Sequence, residues 1–120
     1  MSMVANIEAL CGDSSTANEC LRFLGQRRGR DFSAEAMAVQ VGLTFEMALD
    51  VAMLLARNKM ATRIWVIYHE CADHSVGTRL LSDGFPPIPW TCPDCEEVVI
   101  DPEALLYELS FRLPKDLGLE

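Results

Sequence analysis

Apolar residues recur at helical spacing through the first half of the chain and alternate in its middle. Thr16 followed by Glu19 forms a capping box, and Ala17, Leu21 and Leu24 continue at helical spacing until Gly25 and Gly29 weaken it, which predicts a first helix over about 15–28. The short "RDF" reads as an extended link. Ser33 then caps "AEAMAVQV", where Ala34, Met37, Ala38 and Val41 share one face, and Gly42 ends that second helix. Thr44 caps a third, "FEMALDVAMLLARNK", with Phe45, Ala48, Leu49, Ala52 and Ala56 as its predicted buried stripe. "ATRIWVIY" at 61–68 is β-branched and aromatic and predicts a strand, Ile64, Val66 and Tyr68 on one face and Trp65 and Ile67 on the other. "EVVI" at 97–100 predicts a strand returning antiparallel. "DPEALLYELSFRL" then predicts a C-terminal helix over 101–113, started by Asp101 and Pro102 and stopped by Pro114.

These elements predict an α+β chain folded as a single domain over 1–120: helices in 14–60, a β-hairpin in 61–100 and a helix in 101–113. The second and third helices are joined by a short glycine-containing turn, the arrangement of a helix-turn-helix and equally of an ordinary helical corner. With "FSAEAMAVQVGLTFEMALDVAMLLARNKMATRIWVI" at its centre, the order resembles a winged helix-turn-helix domain over most of residues 14–112. The resemblance implies a β-hairpin wing after the third helix. A segment rich in cysteine and histidine stands where the wing's tip would be, similar to winged-helix domains joined to zinc ribbons.

That segment changes the picture most. "YHECADHSVG" and "PWTCPDCEEV" hold both histidines and three of the five cysteines. Cys71-x2-His74 and Cys92-x2-Cys95 each present two ligands a few ångströms apart, and the spacing matches the paired turns of zinc ribbons. His69 competes with His74 for the fourth position, because in a strand it lies on the same face as Cys71. The expected cofactor is one structural Zn²⁺ on Cys71, His74, Cys92 and Cys95. The intervening loop "SVGTRLLSDGFPPIPWT" has three prolines and no regular periodicity, so metal ligation would supply the free energy that orders it. Phe85, Ile88 and Trp90 of that loop then either cover the core or anchor a partner. Cys11 and Cys20 read as buried small hydrophobes.

The same residues argue against catalysis. A zinc deaminase needs His-x-Glu and then Pro-Cys-x-x-Cys, but Glu70 directly follows His69 and Thr91 precedes Cys92. A redox pair at Cys92 and Cys95 is disfavoured by the acidic "DCEE" around it. Four protein ligands leave no open position for water, and no nucleophile–base set or phosphate loop is visible.

Charge bears on the partner. The formal charge of -8 divides as +1 over residues 1–30, -2 over 31–60, -1 over 61–90 and -6 over 91–120. Such a balance disfavours phosphate backbones and anionic membrane surfaces, apart from a local basic stretch with Arg22, Arg27, Arg28 and Arg30. On the third helix, Glu46, Asp50, Met53 and Arg57 lie opposite the predicted stripe. A DNA-reading helix would bring two carboxylates there into a field of phosphates. Met53, with Met47, Val51 and Leu54, suits either an adaptable protein surface or a wide core contact. The reading is a non-catalytic, zinc-stabilised winged-helix module that mediates protein contacts as a small subunit or adaptor. The alternative is a DNA-binding regulator holding phosphates with Arg22, Arg27, Arg28, Arg30 and Arg63. "MSMVANIEALCG" lacks a basic start and is broken by Asn6 and Glu8, and no apolar stretch approaches about 18 residues, so neither a signal peptide nor a membrane span is expected. The odd cysteine count fits a reducing, cytoplasmic setting.

Overall fold

The computed structural model of the chain describes residues 2–119. It is a mixed α+β structure with four helices, α1 (Met3–Cys11), α2 (Ser14–Gln26), α3 (Ala34–Val41) and α4 (Phe45–Arg57). Six strands accompany them: β1 (Asp31–Phe32), β2 (Thr62–His69), β3 (Gly77–Leu80), β4 (Trp90–Thr91), β5 (Val98–Val99) and β6 (Leu105–Arg112). The chain gathers into two compact units, one holding the residues up to Thr62 and those from Phe111 onward, the other Arg63–Ser110.

The first unit is the helical one. Each of its helices starts on a side-chain oxygen that satisfies an otherwise orphaned N–H: Ser2 for α1, Asp13 for α2, Ser33 for α3 and Thr44 for α4. Gly12 and Gly42 end α1 and α3 in the left-handed region, at φ 85° and 86°, where a side chain would be strained. Helix α1 has no counterpart in the periodicity described above. Its buried positions Met3, Ile7 and Cys11 are four residues apart, a single narrow row in a stretch too short for a repeating stripe. On α4 the buried positions are Ala48, Val51, Ala52 and Leu55, and Phe45 is 54% exposed. The stripe is therefore turned from the predicted one toward Val51 and Leu55. Glu46, Asp50 and Arg57 are exposed, as their place opposite the core requires, and Met53 is half-buried. Strand β1 pairs antiparallel with the last residues of β6, Phe32 opposite Phe111, and those rings stack at 5.6 Å while Phe23 meets Phe32 edge-on.

The second unit is built on β2, which lies between β3 and β6. The β2–β3 pair is antiparallel, with Ile64 opposite Leu80 and Ile67 opposite Gly77. The helix expected over 101–113 is instead a strand. Asp101 and Pro102 start only a single 3-10 turn, Pro102–Ala104, in which Asp101 accepts from the Glu103 N–H. From Leu105 onward the chain is extended: Leu105 is buried and Tyr107 and Leu109 half-buried, while Leu106 and Glu108 are exposed, and the strand ends on buried Ser110 and Phe111 before the exposed Arg112. That alternation is the period of a strand, and pairing beside β2 outweighs the helix-start signal. "EVVI" does not return on the 61–68 strand either. Within it β5 pairs with β4 in a separate two-stranded ribbon, Trp90 opposite Val99 and Thr91 opposite Val98. One buried cluster of this unit is Ile67, Val76, Cys92, Val99 and Leu105, with Ala72, Trp90 and Tyr107 packed on it, and Ile64 is buried as well.

Candidate metal centre

The centre is assembled from two turns. Along β2, Trp65, Ile67 and His69 share a face, and the turn that follows brings Cys71 beside His69. The turn is tight: the Ala72 N–H donates to the His69 carbonyl at 3.2 Å, and the Val76 N–H returns to the Ile67 carbonyl at 2.8 Å to begin the path into β3. The second turn joins β4 to β5. The Cys92 N–H donates to the Glu97 carbonyl and the Glu96 N–H to the Cys92 carbonyl, both at 2.9 Å, which closes the loop around Cys92 and Cys95. Glu96 adopts φ 64°, the left-handed turn that lets the chain re-enter β5 directly after Cys95.

These turns bring His69, Cys71, Cys92 and Cys95 together, with one ligand atom of each within 4.8 Å of the others. His74, favoured on spacing, lies outside the group. It sits in the irregular path between the turn and β3, exposed, with Nε2 at 2.9 Å from the Asp94 carboxylate. The three cysteines named from the sequence are thus joined by the competing histidine. Cys11 and Cys20 are buried in the first unit with sulfurs 3.7 Å apart, away from this set, and burial pushes the Cys20 thiol up to about 12.

The spacing within the set fits a metal. Around tetrahedral zinc, with about 2.3 Å to sulfur and about 2.0–2.1 Å to nitrogen, neighbouring sulfurs lie about 3.8 Å apart and a sulfur and a nitrogen about 3.6 Å. The Cys71 and Cys92 sulfurs are 3.7 Å apart, and the Cys95 sulfur is 3.6 Å from His69 Nδ1. All five cysteines are free thiols. The chemistry of the donor set agrees, since thiolate and imidazole are the ligands zinc prefers.

The protonation of the thiols is already divided. Burial and the neighbouring Cys92 and Cys95 push the Cys71 thiol up to about 12. Burial opposes ionisation of Cys92 too, but the backbone N–H groups of Cys95 and Asp94 outweigh it and bring that thiol down to about 7. A dication would reverse the penalty on Cys71, because a coordinated thiol is held as the thiolate.

His69 carries a further mark. Its side chain is buried, and Nε2 has no hydrogen-bond partner, the Glu97 carboxylate being 3.6 Å away. An unsatisfied buried nitrogen costs about 1–3 kcal/mol. With Nδ1 on a metal, Nε2 bears the proton, and Glu97 stands as its acceptor, a pairing that fixes ring orientation at many metal sites. Neither the spacing of cysteines nor their neighbours pointed to Glu97; the only signal was its place two residues after Cys95. The centre is compatible with a metal such as zinc, and comparison with protein-family models, with curated proteins and with solved structures gives no match for this chain.

Proposed function

We propose that this chain is a non-catalytic, zinc-stabilised module of winged-helix type that works through protein contacts, as a small subunit or adaptor in a reducing compartment such as the cytoplasm. One observation carries the zinc: three sulfurs and a buried imidazole nitrogen within 4.8 Å of one another, two of the pairs at tetrahedral-edge distances. Four protein donors close the coordination shell, so the metal has no position for substrate or water and its work is to hold the second unit together. The buried cluster beside the centre is small to order so much irregular chain, and metal ligation makes up the difference. The order α3, α4, then the β2–β3 pair supports the winged-helix likeness. Among the described residues no helix is long and apolar enough to cross a membrane.

Protein rather than DNA is favoured by what the helices expose. At the start of α4 the exposed side chains are Phe45, Glu46 and Asp50, and α3 exposes Val39 at 78%. Two carboxylates beside apolar residues suit a protein surface and repel phosphate. The arginines that would hold a duplex are partly engaged: Arg22 lies 3.5 Å from Glu19, and Arg27 donates to Gln40 while lying over the Phe23 ring. The test is a search for partners by native pull-down beside DNA competition at about 150 mM salt. A complex broken by Phe45→Asp or Val39→Asp, with zinc content unchanged, is the expected result. Selective binding of one duplex over random DNA by about 10³ or more would instead establish the regulator.

A further inference from the structure

The acidity of the chain is concentrated in the unit that carries the metal centre. Residues 63–110 hold nine carboxylates against two arginines, which is -7 of the chain's -8. In this unit the end of β2, the turn after it, the 3-10 turn and the start of β6 enclose a groove of about 480 Å³. Tyr68, Ala72, Ala104 and Leu106 form its apolar walls and Glu70 and Glu103 its rim, with His69 at its base. Leu106 is 71% exposed on this wall, and burial together with the nearby charge of Glu108 pushes the Tyr68 phenol up. No cysteine of the metal set lines the groove. Its shape nonetheless depends on that set, because Glu70 lies between His69 and Cys71 in a turn that coordination would hold fixed.

An exposed leucine in an apolar groove with a carboxylate rim recognises a particular chemistry. The groove has room for one large apolar side chain together with part of its flanking segment, and burial against Leu106 and Tyr68 supplies affinity. The rim and the field of the whole unit select cations beside that anchor and repel nucleic acid and anionic lipid. We propose that this groove docks a protein segment in which a single apolar side chain is flanked by lysine or arginine. The proposal rests on the interaction-module reading and adds to the α3–α4 surface a second contact site, with the chemistry it takes.

The experiment is a titration of the full, zinc-loaded chain, labelled for amide NMR, with the synthetic peptide Lys-Lys-Leu-Lys-Lys. Shifts confined to the amides of Tyr68, Glu70 and the Glu103–Leu106 stretch are expected. Leu106→Asp, which touches an exposed side chain and should keep its zinc, weakens binding by about tenfold or more. Glu103→Lys weakens it and flattens its salt dependence. Removing the metal abolishes it, and a peptide with Ala for Leu or Glu for Lys fails to bind. No shifts at these amides, shifts mapping elsewhere, or equal binding by the alanine peptide overturns the groove. A native partner complex that survives Leu106→Asp and Glu103→Lys but breaks with Phe45→Asp also overturns it, while leaving the interaction module standing.

Discussion

The sulfurs of Cys71 and Cys92 lie 3.7 Å apart although 21 positions separate them along the chain. At that distance one thiol can donate a weak S–H hydrogen bond to the other, between the exposed Cys71 and the buried Cys92. A dication bound between them would replace the shared proton and hold both as thiolates. Most consequences of the structure that can be measured follow from this contact and from the histidine beside it.

The first concerns which histidine matters. His69→Ala removes a ligand and should lower zinc affinity by more than about 100-fold, beyond the effect of losing a supporting contact. His74→Ala removes only the exposed pairing with Asp94 and should change affinity by no more than about threefold. Competition with a chromogenic chelator measures both, and equal losses would place His74 on the metal.

Glu97 should act through His69. Glu97→Ala leaves Nε2 without an acceptor, and zinc affinity falls by about 10- to 100-fold while the ring loses its preferred tautomer, visible in imidazole nitrogen shifts. Glu97→Gln retains an acceptor and recovers most of both. Unchanged nitrogen shifts in Glu97→Ala would show that the carboxylate does not hold the ring.

The left-handed turn at Glu96 gives a prediction without chemistry. At φ 64° a β-branched residue is an outlier, so Glu96→Val should destabilise the zinc-loaded protein by about 1–2 kcal/mol, whereas Glu96→Gly fits the turn and leaves stability within about 1 kcal/mol. Thermal unfolding at constant zinc reads both. A Val variant as stable as wild type would mean the turn opens.

A pH effect belongs to the helical unit. Asp13 accepts from the Thr16 N–H at 2.6 Å and the Thr16 hydroxyl at 2.9 Å, and these bonds hold its carboxyl below the ordinary 3.8. A depressed carboxyl contributes stability that is present above its unfolded value and lost as pH falls through the folded one. Between about pH 5 and about pH 2 wild type should therefore lose stability faster than Asp13→Asn, which still caps α2 when uncharged. Parallel acid-unfolding curves for the two proteins would contradict it.

The sequence and the structure part company where local signals are ambiguous. Helices α2, α3 and α4 were legible because each has a capping residue followed by apolar positions at helical spacing, and β2 because Thr62, Ile64, Trp65, Val66, Ile67 and Tyr68, all β-branched or aromatic, crowd into it. β6 was not, since Leu105, Leu106, Leu109 and Phe111 satisfy either period and Asp101–Pro102 starts a turn whichever element follows. Pairing beside β2 decides it, and that is long-range information. At the metal centre, Cys71, Cys92 and Cys95 were legible from spacing. The histidine turned on where the strand ends: the alternation Trp65, Ile67, His69 runs to the end of β2, the turn after it brings in Cys71, and the path on to Val76 leaves His74 outside. Symmetry with the Cys92-x2-Cys95 turn pointed to His74, but which side chains converge follows backbone direction rather than matching spacers.

Zinc-edge X-ray absorption on freshly purified, reduced protein tests the central claim most directly, because it reads the number and type of donors without a mutation. The account predicts about one zinc per chain, bound by three sulfurs at about 2.3 Å and one imidazole nitrogen at about 2.0–2.1 Å, with the same spectrum in His74→Ala. Absence of zinc, a shell containing water oxygen, or a spectrum that changes in His74→Ala but not in His69→Ala would contradict it.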